Sequence, residues 1–145
     1  VMPLAGSQAC FQPVWVQDVA RAVVHCLQDA RTIGHGYEAC GPEVFTLAEL
    51  VQCAGRWGGH PRPVLPLPFA VGWLQALLME LAPGPTLMSR DNLASMKVDN
   101  VASGQWPGLK DLGIQASSAA GVAPGYLGHR GPRSRLNAWR ARSGR

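Results

Sequence analysis

The sequence predicts an α/β fold with short parallel strands, and three observations carry that reading. Short β-branched and aromatic runs alternate with stretches of helical period. Their order is strand, helix, strand, helix, strand, helix, helix, which favours parallel pairing. With 145 residues, 47% of them hydrophobic, the chain has the size and the apolar content of one ordinary domain.

Residues 12–17, Gln-Pro-Val-Trp-Val-Gln, read as the first strand. Asp18 follows at once and is expected to cap the next helix, because a carboxylate accepts hydrogen bonds from the free N–H groups of a first turn. In that helix Ala20, Val23, Val24 and Leu27 share one face, and Gln17, Arg21, His25 and Gln28 share another. Tyr37–Cys40 reads as a second strand, ended by Gly41-Pro42. Thr46-Leu47-Ala48-Glu49 is a capping box, so Thr46 is a second structural cap. The helix it opens should bury Leu47, Leu50, Val51, Ala54 and Trp57 and end at Gly58-Gly59. Pro63–Leu67 is an extended segment that its prolines confine to an edge or an end.

Phe69 to Ala82 is expected to be a helix that is apolar on most sides, stopped by Pro83-Gly84-Pro85. At about 1.5 Å rise per residue it is too short for a membrane span, which needs about 20 apolar residues. A core helix is favoured over an interfacial one. Ser89 or Asp91 should cap a further helix, and Ser117 to Leu127 a last one, broken at Pro124-Gly125. No internal repeat is visible, and no linker divides the body.

The formal charge of +4 is unevenly spread. Six arginines (Arg130, Arg133, Arg135, Arg140, Arg142 and Arg145) and no acid occupy residues 130–145; the rest carries seven basic residues against nine acids. A phosphate-binding surface is hard to build on that acidic body, so nucleic acid is excluded as a partner. The basic tail is expected to be disordered, with an anionic membrane surface or acidic partner as its sharper use.

No glycine-rich turn follows a strand, no Tyr-x-x-x-Lys pair is present, and no Gly-x-Ser-x-Gly occurs. The four cysteines lack any Cys-x-x-Cys pair, which leaves no metal site to predict and favours a reduced, cytoplasmic chain over a disulfide-bonded secreted one. His25, His35, His60 and His129 read as solvated or packed side chains. No catalytic residue is assigned. The chain opens on Val1 without a signal-peptide pattern and is expected to be a piece of a longer protein.

Phe11-Gln12-Pro13-Val14-Trp15-Val16-Gln17-Asp18-Val19-Ala20-Arg21-Ala22 resembles the strand–Asp–Val–Ala–helix junction of extended and atypical short-chain dehydrogenases, the NAD-dependent epimerase/dehydratase superfamily. Gly36 to Glu43 is similar to that family's late strand and Gly-Pro turn. Thr46 to Leu50 is similar to the following helix start, and Pro61 to Pro68 to a segment of the substrate lobe. Ser89-Arg90-Asp91-Asn92-Leu93 with Asp99-Asn100-Val101 is similar to the branch around the nucleotide-binding accessory subunit of respiratory complex I, bacterial relatives included.

The resemblance implies an incomplete Rossmann-type NAD(P)-binding fold, mainly its C-terminal substrate-side lobe. Residues 1–115 would be the closing portion of that domain, 116–129 a terminal short helix, and 130–145 the basic tail. It implies NAD or NADP in the full-length parent and none in this piece, an N-terminal nucleotide-binding half upstream, and an unknown small-molecule substrate. Gln12, Pro13 and Trp15 match positions beside the cofactor–substrate cleft. The parent would be an oxidoreductase or epimerase, or bind nucleotide without turnover; the piece alone would be inactive. The alternative is an assembly or membrane-interface module among respiratory-complex subunits, in the cytoplasm or peripheral at the inner membrane.

Overall fold

Fifteen residues at the start of the chain hold two short strands that the sequence reading did not place. In a computed structural model that describes residues 1–81, 89–127 and 139, Met2–Ala5 is β1 and Cys10–Phe11 is β2. Then come helix α1 (Val16–Gln28), a 3-10 turn at Ala30–Thr32, β3 (Phe45–Thr46), α2 (Leu47–Trp57) and β4 (Val64–Leu67). Helices α3 (Phe69–Leu81) and α4 (Arg90–Ser95), a 3-10 turn at Leu109–Leu112 and helix α5 (Ala119–Leu127) complete the described order. The fold is α/β with short strands. β1 pairs with β4 in parallel, Met2 opposite Val64 and Ala5 opposite Leu67, while β2 and β3 are antiparallel.

The residues gather into two compact units, each assembled from separate stretches of chain. The first takes residues 1–11, 45–56 and 60–100. Its core is β1 under α3: Leu4 and Ala5 are buried, as are Ala76 and Leu93. A Cβ on Gly72 would strike the Cβ of Ala5, so glycine is what lets helix and strand approach this closely. Thr46 and Glu49 hold the start of α2 reciprocally. The Thr46 hydroxyl accepts from the Glu49 N–H at 3.2 Å, and the Glu49 carboxylate accepts from the Thr46 N–H at 2.8 Å. That helix ends where the His60 N–H returns to the Gly55 carbonyl at 2.8 Å and Gly59 takes a positive φ.

The second unit takes residues 12–44, 57–59 and 101–145. Ala22, Leu109 and Leu112 form its buried cluster, with Val14, Tyr37 and Ile114 packed against it. Glu38 fastens the following loop. Its carboxylate accepts from the Ser103 hydroxyl at 2.6 Å, the Ser103 N–H at 2.8 Å and the Gly104 N–H at 3.0 Å. These bonds, the Ser103 hydroxyl first, hold the Glu38 carboxyl below the usual range.

Several expectations change. Residues 12–15 are not a strand; helical backbone begins at Val16, with Trp15 as the N-cap. Asp18 therefore lies inside the first turn and does not cap it. Tyr37–Cys40 keeps only one bridge, Glu38 to Gly108. In α1 the stripe Val16, Val23, Val24 and Leu27 is exposed, and Asp18 and Ala22 point inward. Ser89 is the residue that caps α4, accepting from the Asn92 N–H at 3.1 Å. Pro124 sits inside α5 without breaking it. The stop at Pro83-Gly84-Pro85, His129 and the basic tail lie outside the described residues, apart from Trp139.

Candidate functional site

Of the three residues matched to a cleft, two meet at one glycine and the third reaches α5. Gln12 donates from Nε2 to the Gly41 carbonyl at 2.8 Å, and its Oε1 accepts from the Ala102 N–H at 2.8 Å. Both ends of the amide are thus committed to backbone. The Pro13 carbonyl lies against Gly41, where any Cβ would collide with it. Trp15 donates from Nε1 to the Tyr126 hydroxyl at 3.2 Å, and the Arg21 guanidinium lies 5.8 Å from its ring centroid. The segment before α1 is therefore a knot that joins residues 12–15 to the turn at Gly41, to Ala102 and to α5.

Asp18 anchors the next step of the same path. Its side chain is 0% exposed. It accepts from the Ser117 N–H at 2.7 Å and from Arg21 Nη1 at 3.2 Å, so the buried charge is answered on both oxygens. Glu43 repeats the device at the start of α5, accepting from the Ala119 N–H at 3.0 Å. Thr46, the other residue assigned as a cap, gives its side chain to Glu49 of its own helix.

An open cleft of about 800 Å³ lies alongside, walled by Arg21, Glu43 and residues 114–118. A second, of about 530 Å³, runs along the polar face of α1 past His25 to Ile114. Gln12, Pro13 and Trp15 line neither. Arg21 and Glu43 do, and sequence reasoning missed both as site residues. Arg21 was visible as one charge on a polar helical face, and Glu43 as the acid after Gly41-Pro42; neither pattern singles out a cleft.

Burial, and behind it the Glu38 charge, pushes the Cys40 thiol up, away from the thiolate a nucleophile needs. Burial and then Asp99 do the same to Cys10. Among the described residues no group of three His, Cys, Asp or Glu could hold a metal ion. A dinucleotide pyrophosphate needs a helix N-terminus with free N–H groups. Here the first turns of α1 and α2 carry Asp18 and Glu49, and the start of α5 is already taken by Glu43. These three helix starts therefore do not offer free N–H groups to a pyrophosphate.

In class the chain is α/β with a short parallel strand pair and amphipathic helices, consistent with part of a Rossmann-like fold. No family model matches the sequence. The chain is similar to NADH dehydrogenase [ubiquinone] 1 alpha subcomplex subunit 9, mitochondrial, of mouse, at 29% identity over 113 residues, covering 76% of this chain and 29% of that protein. The protein of the same name from Arabidopsis thaliana is 26% identical over 133 residues, covering 86% of this chain and 33% of its own length. The mitochondrial NADH-ubiquinone oxidoreductase 40 kDa subunit of Neurospora crassa is 29% identical over 122 residues, covering 84% and 32%. The chain thus spans about a third or less of the curated relatives it matches. They come from an animal, a plant and a fungus, so they lend nothing to a bacterial affiliation.

Proposed function

We propose that this chain forms the substrate-side portion of a short-chain-dehydrogenase-like protein related to the accessory subunits of a respiratory NADH dehydrogenase. The observation that carries this reading is the similarity to those subunits along 76% to 86% of the chain, at 26% to 29% identity. The geometry supports a supporting role. The knot at Gly41 and the tether at Asp18 spend their polar groups on holding backbone in place, so they present a stable wall rather than reactive side chains. In this proposal Gln12, Pro13 and Trp15 shape one side of a cleft completed by a nucleotide-binding portion, which would supply NAD or NADP and any small substrate. The parent then works at the inner membrane among respiratory subunits; among the described residues no helix is long and apolar enough to cross it.

Two measurements test it. A tagged chain expressed in its own cells should co-migrate on native gels with NADH dehydrogenase activity; migration only as a free chain removes the accessory-subunit reading. The isolated chain should bind NADPH no better than weakly by calorimetry, and a submicromolar constant overturns the assignment of the nucleotide site to another portion.

A second reading, an assembly or membrane-interface module, is favoured by one observation. Helix α3 turns a row of large aliphatic side chains to solvent.

A further inference from the structure

The two clefts beside α1 adjoin at Arg21, Gly113 and Ile114, and both lie wholly within the second unit. They differ in charge. The larger sets Arg21 against Glu43, so an anion there meets a carboxylate of its own sign. No carboxylate lines the smaller. Its rim is the polar face of α1, where Gln17, Arg21, His25 and Gln28 recur at one-turn spacing. Its floor is apolar, made by Val24, Leu112 and Ile114. Val24 is 51% exposed, and an aliphatic chain laid over it would cover that surface. The volume, about 530 Å³, is in the range of small-ligand sites.

Arg21 is equipped for a second partner. Its Nη1 donates to Asp18 at 3.2 Å, yet the side chain is 61% exposed. Its Nε and Nη2 make no hydrogen bond among the described residues. The Trp15 ring, with its centroid 5.8 Å from the guanidinium, steadies it from one side. The Asp18 carboxylate is turned inward, with its oxygens on Arg21 and on the Ser117 N–H, and takes no part in the lining. His25 stands one turn further on. Its Nε2 is 3.7 Å from Asp29, whose carboxylate is held by Arg31 at 2.8 Å and also lies outside the lining. A guanidinium with unspent N–H groups and an imidazole one turn away suit one carboxylate, and the floor beside them suits a short chain.

We propose that the smaller cleft binds a small aliphatic carboxylate, with its acid group on Arg21 and His25 and its chain on Val24, Leu112 and Ile114. Every group the site uses belongs to the second unit, so no nucleotide-binding portion is needed to complete it. The inference goes beyond the accessory-subunit reading and does not rest on it.

The test is a titration of the full chain with hexanoate, followed by amide chemical shifts. Shifts along α1 and at Gly113 should saturate with a dissociation constant of roughly 1 mM, the order reached by ligands of this size. Acetate should bind about tenfold more weakly, since it leaves the floor uncovered, and hexylamine should not bind. Arg21→Gln should weaken hexanoate at least about tenfold, the loss of a charge-assisted pair. His25→Gln, which leaves the Asp18 pair intact, should weaken it about threefold. Val24→Ser should weaken hexanoate and leave acetate unchanged. Urea midpoints accompany each variant; where Arg21→Gln unfolds the chain, His25→Gln and Val24→Ser still decide. Absence of saturation in wild type, equal affinity for hexylamine, or wild-type hexanoate affinity in both His25→Gln and Val24→Ser overturns the proposal. Tighter binding in Glu43→Gln, with shifts at Ser117 and Ser118, moves the ligand to the larger cleft and overturns it too. Co-migration on native gels is read separately, so the accessory-subunit reading stands or falls on its own.

Discussion

Helices α1 and α3 are both 13 residues long, and each turns a row of large apolar residues to solvent. In α1 the inward side holds a carboxylate and an alanine, while Leu27 stands 83% exposed. In α3 the inward side holds a glycine and an alanine, and Leu74, Leu78 and Leu81 face out. The two are nevertheless held by different physics. α1 is tied down by directional bonds, Asp18 to the Ser117 N–H and to Arg21. α3 is held by close approach, the missing side chain of Gly72 admitting Ala5. The lesson is that the inward face of a helix is set by what its neighbour can accept. A buried N–H calls for an oxygen, and a close backbone calls for no side chain at all.

That contrast can be broken most sharply at Asp18. Asp18→Ala leaves the Ser117 N–H without its acceptor inside the unit and should cost about 3 kcal/mol, read as a lower urea midpoint. Asp18→Asn keeps an acceptor and should recover part of the loss. Gly72→Ala comes next, at about 2 kcal/mol, because the added methyl meets Ala5 and strand and helix must part. A loss confined to Asp18 would mean that close packing does not hold α3.

A smaller effect sharpens the comparison by pH. The Glu38 carboxyl is held down by its bonds to Ser103 and Gly104. A depressed folded pKa stabilises above the unfolded carboxylate value of about 4.3 and loses that contribution as pH falls through the folded value. The urea midpoint should therefore fall on acidification below about pH 4, and less steeply in Ser103→Ala. Asp29, held at about 2 first by its bonds to Arg31, should keep its charge lower still; carboxyl-carbon chemical shifts would follow both groups. Smallest of all, Leu27→Gln on the outward stripe of α1 should shift stability by less than about 0.5 kcal/mol. A larger loss would show that α1 buries this stripe in solution.

Helices were legible in the sequence, since their signals are local. The Thr46–Glu49 box, the apolar run of α3 and the Ser89 cap lie within a few residues of what they control. Strands were less so. Met2–Ala5 is a strand because Val64–Leu67 accepts it, 62 positions away, and nothing in Met-Pro-Leu-Ala announces that partner. Residues 12–15 carry β-branched and aromatic side chains, yet Gln12 spends its amide on Gly41 and Ala102 and leaves no ladder to form. At the candidate site the cluster of Gln12, Pro13 and Trp15 was named as a group by resemblance. Its bonding to Gly41, Ala102 and Tyr126 spans from 29 to 111 positions and could not be read from spacing. Asp18 was picked for the right reason, an oxygen seeking N–H donors, but those donors belong to Arg21 and a distant Ser117.

The interleaving of the two units bears on the order in which the molecule can be made. Each unit includes chain from before residue 45 and from beyond residue 59. A nascent stretch that stops before residue 60 has therefore completed neither. β1 must wait for β4, and the Asp18 carboxylate for Ser117. Until then both hold unsatisfied surface, so neither unit can close before its distant segment is made, as non-local pairing requires. The stretch between them is the interval in which a chaperone has most to shield.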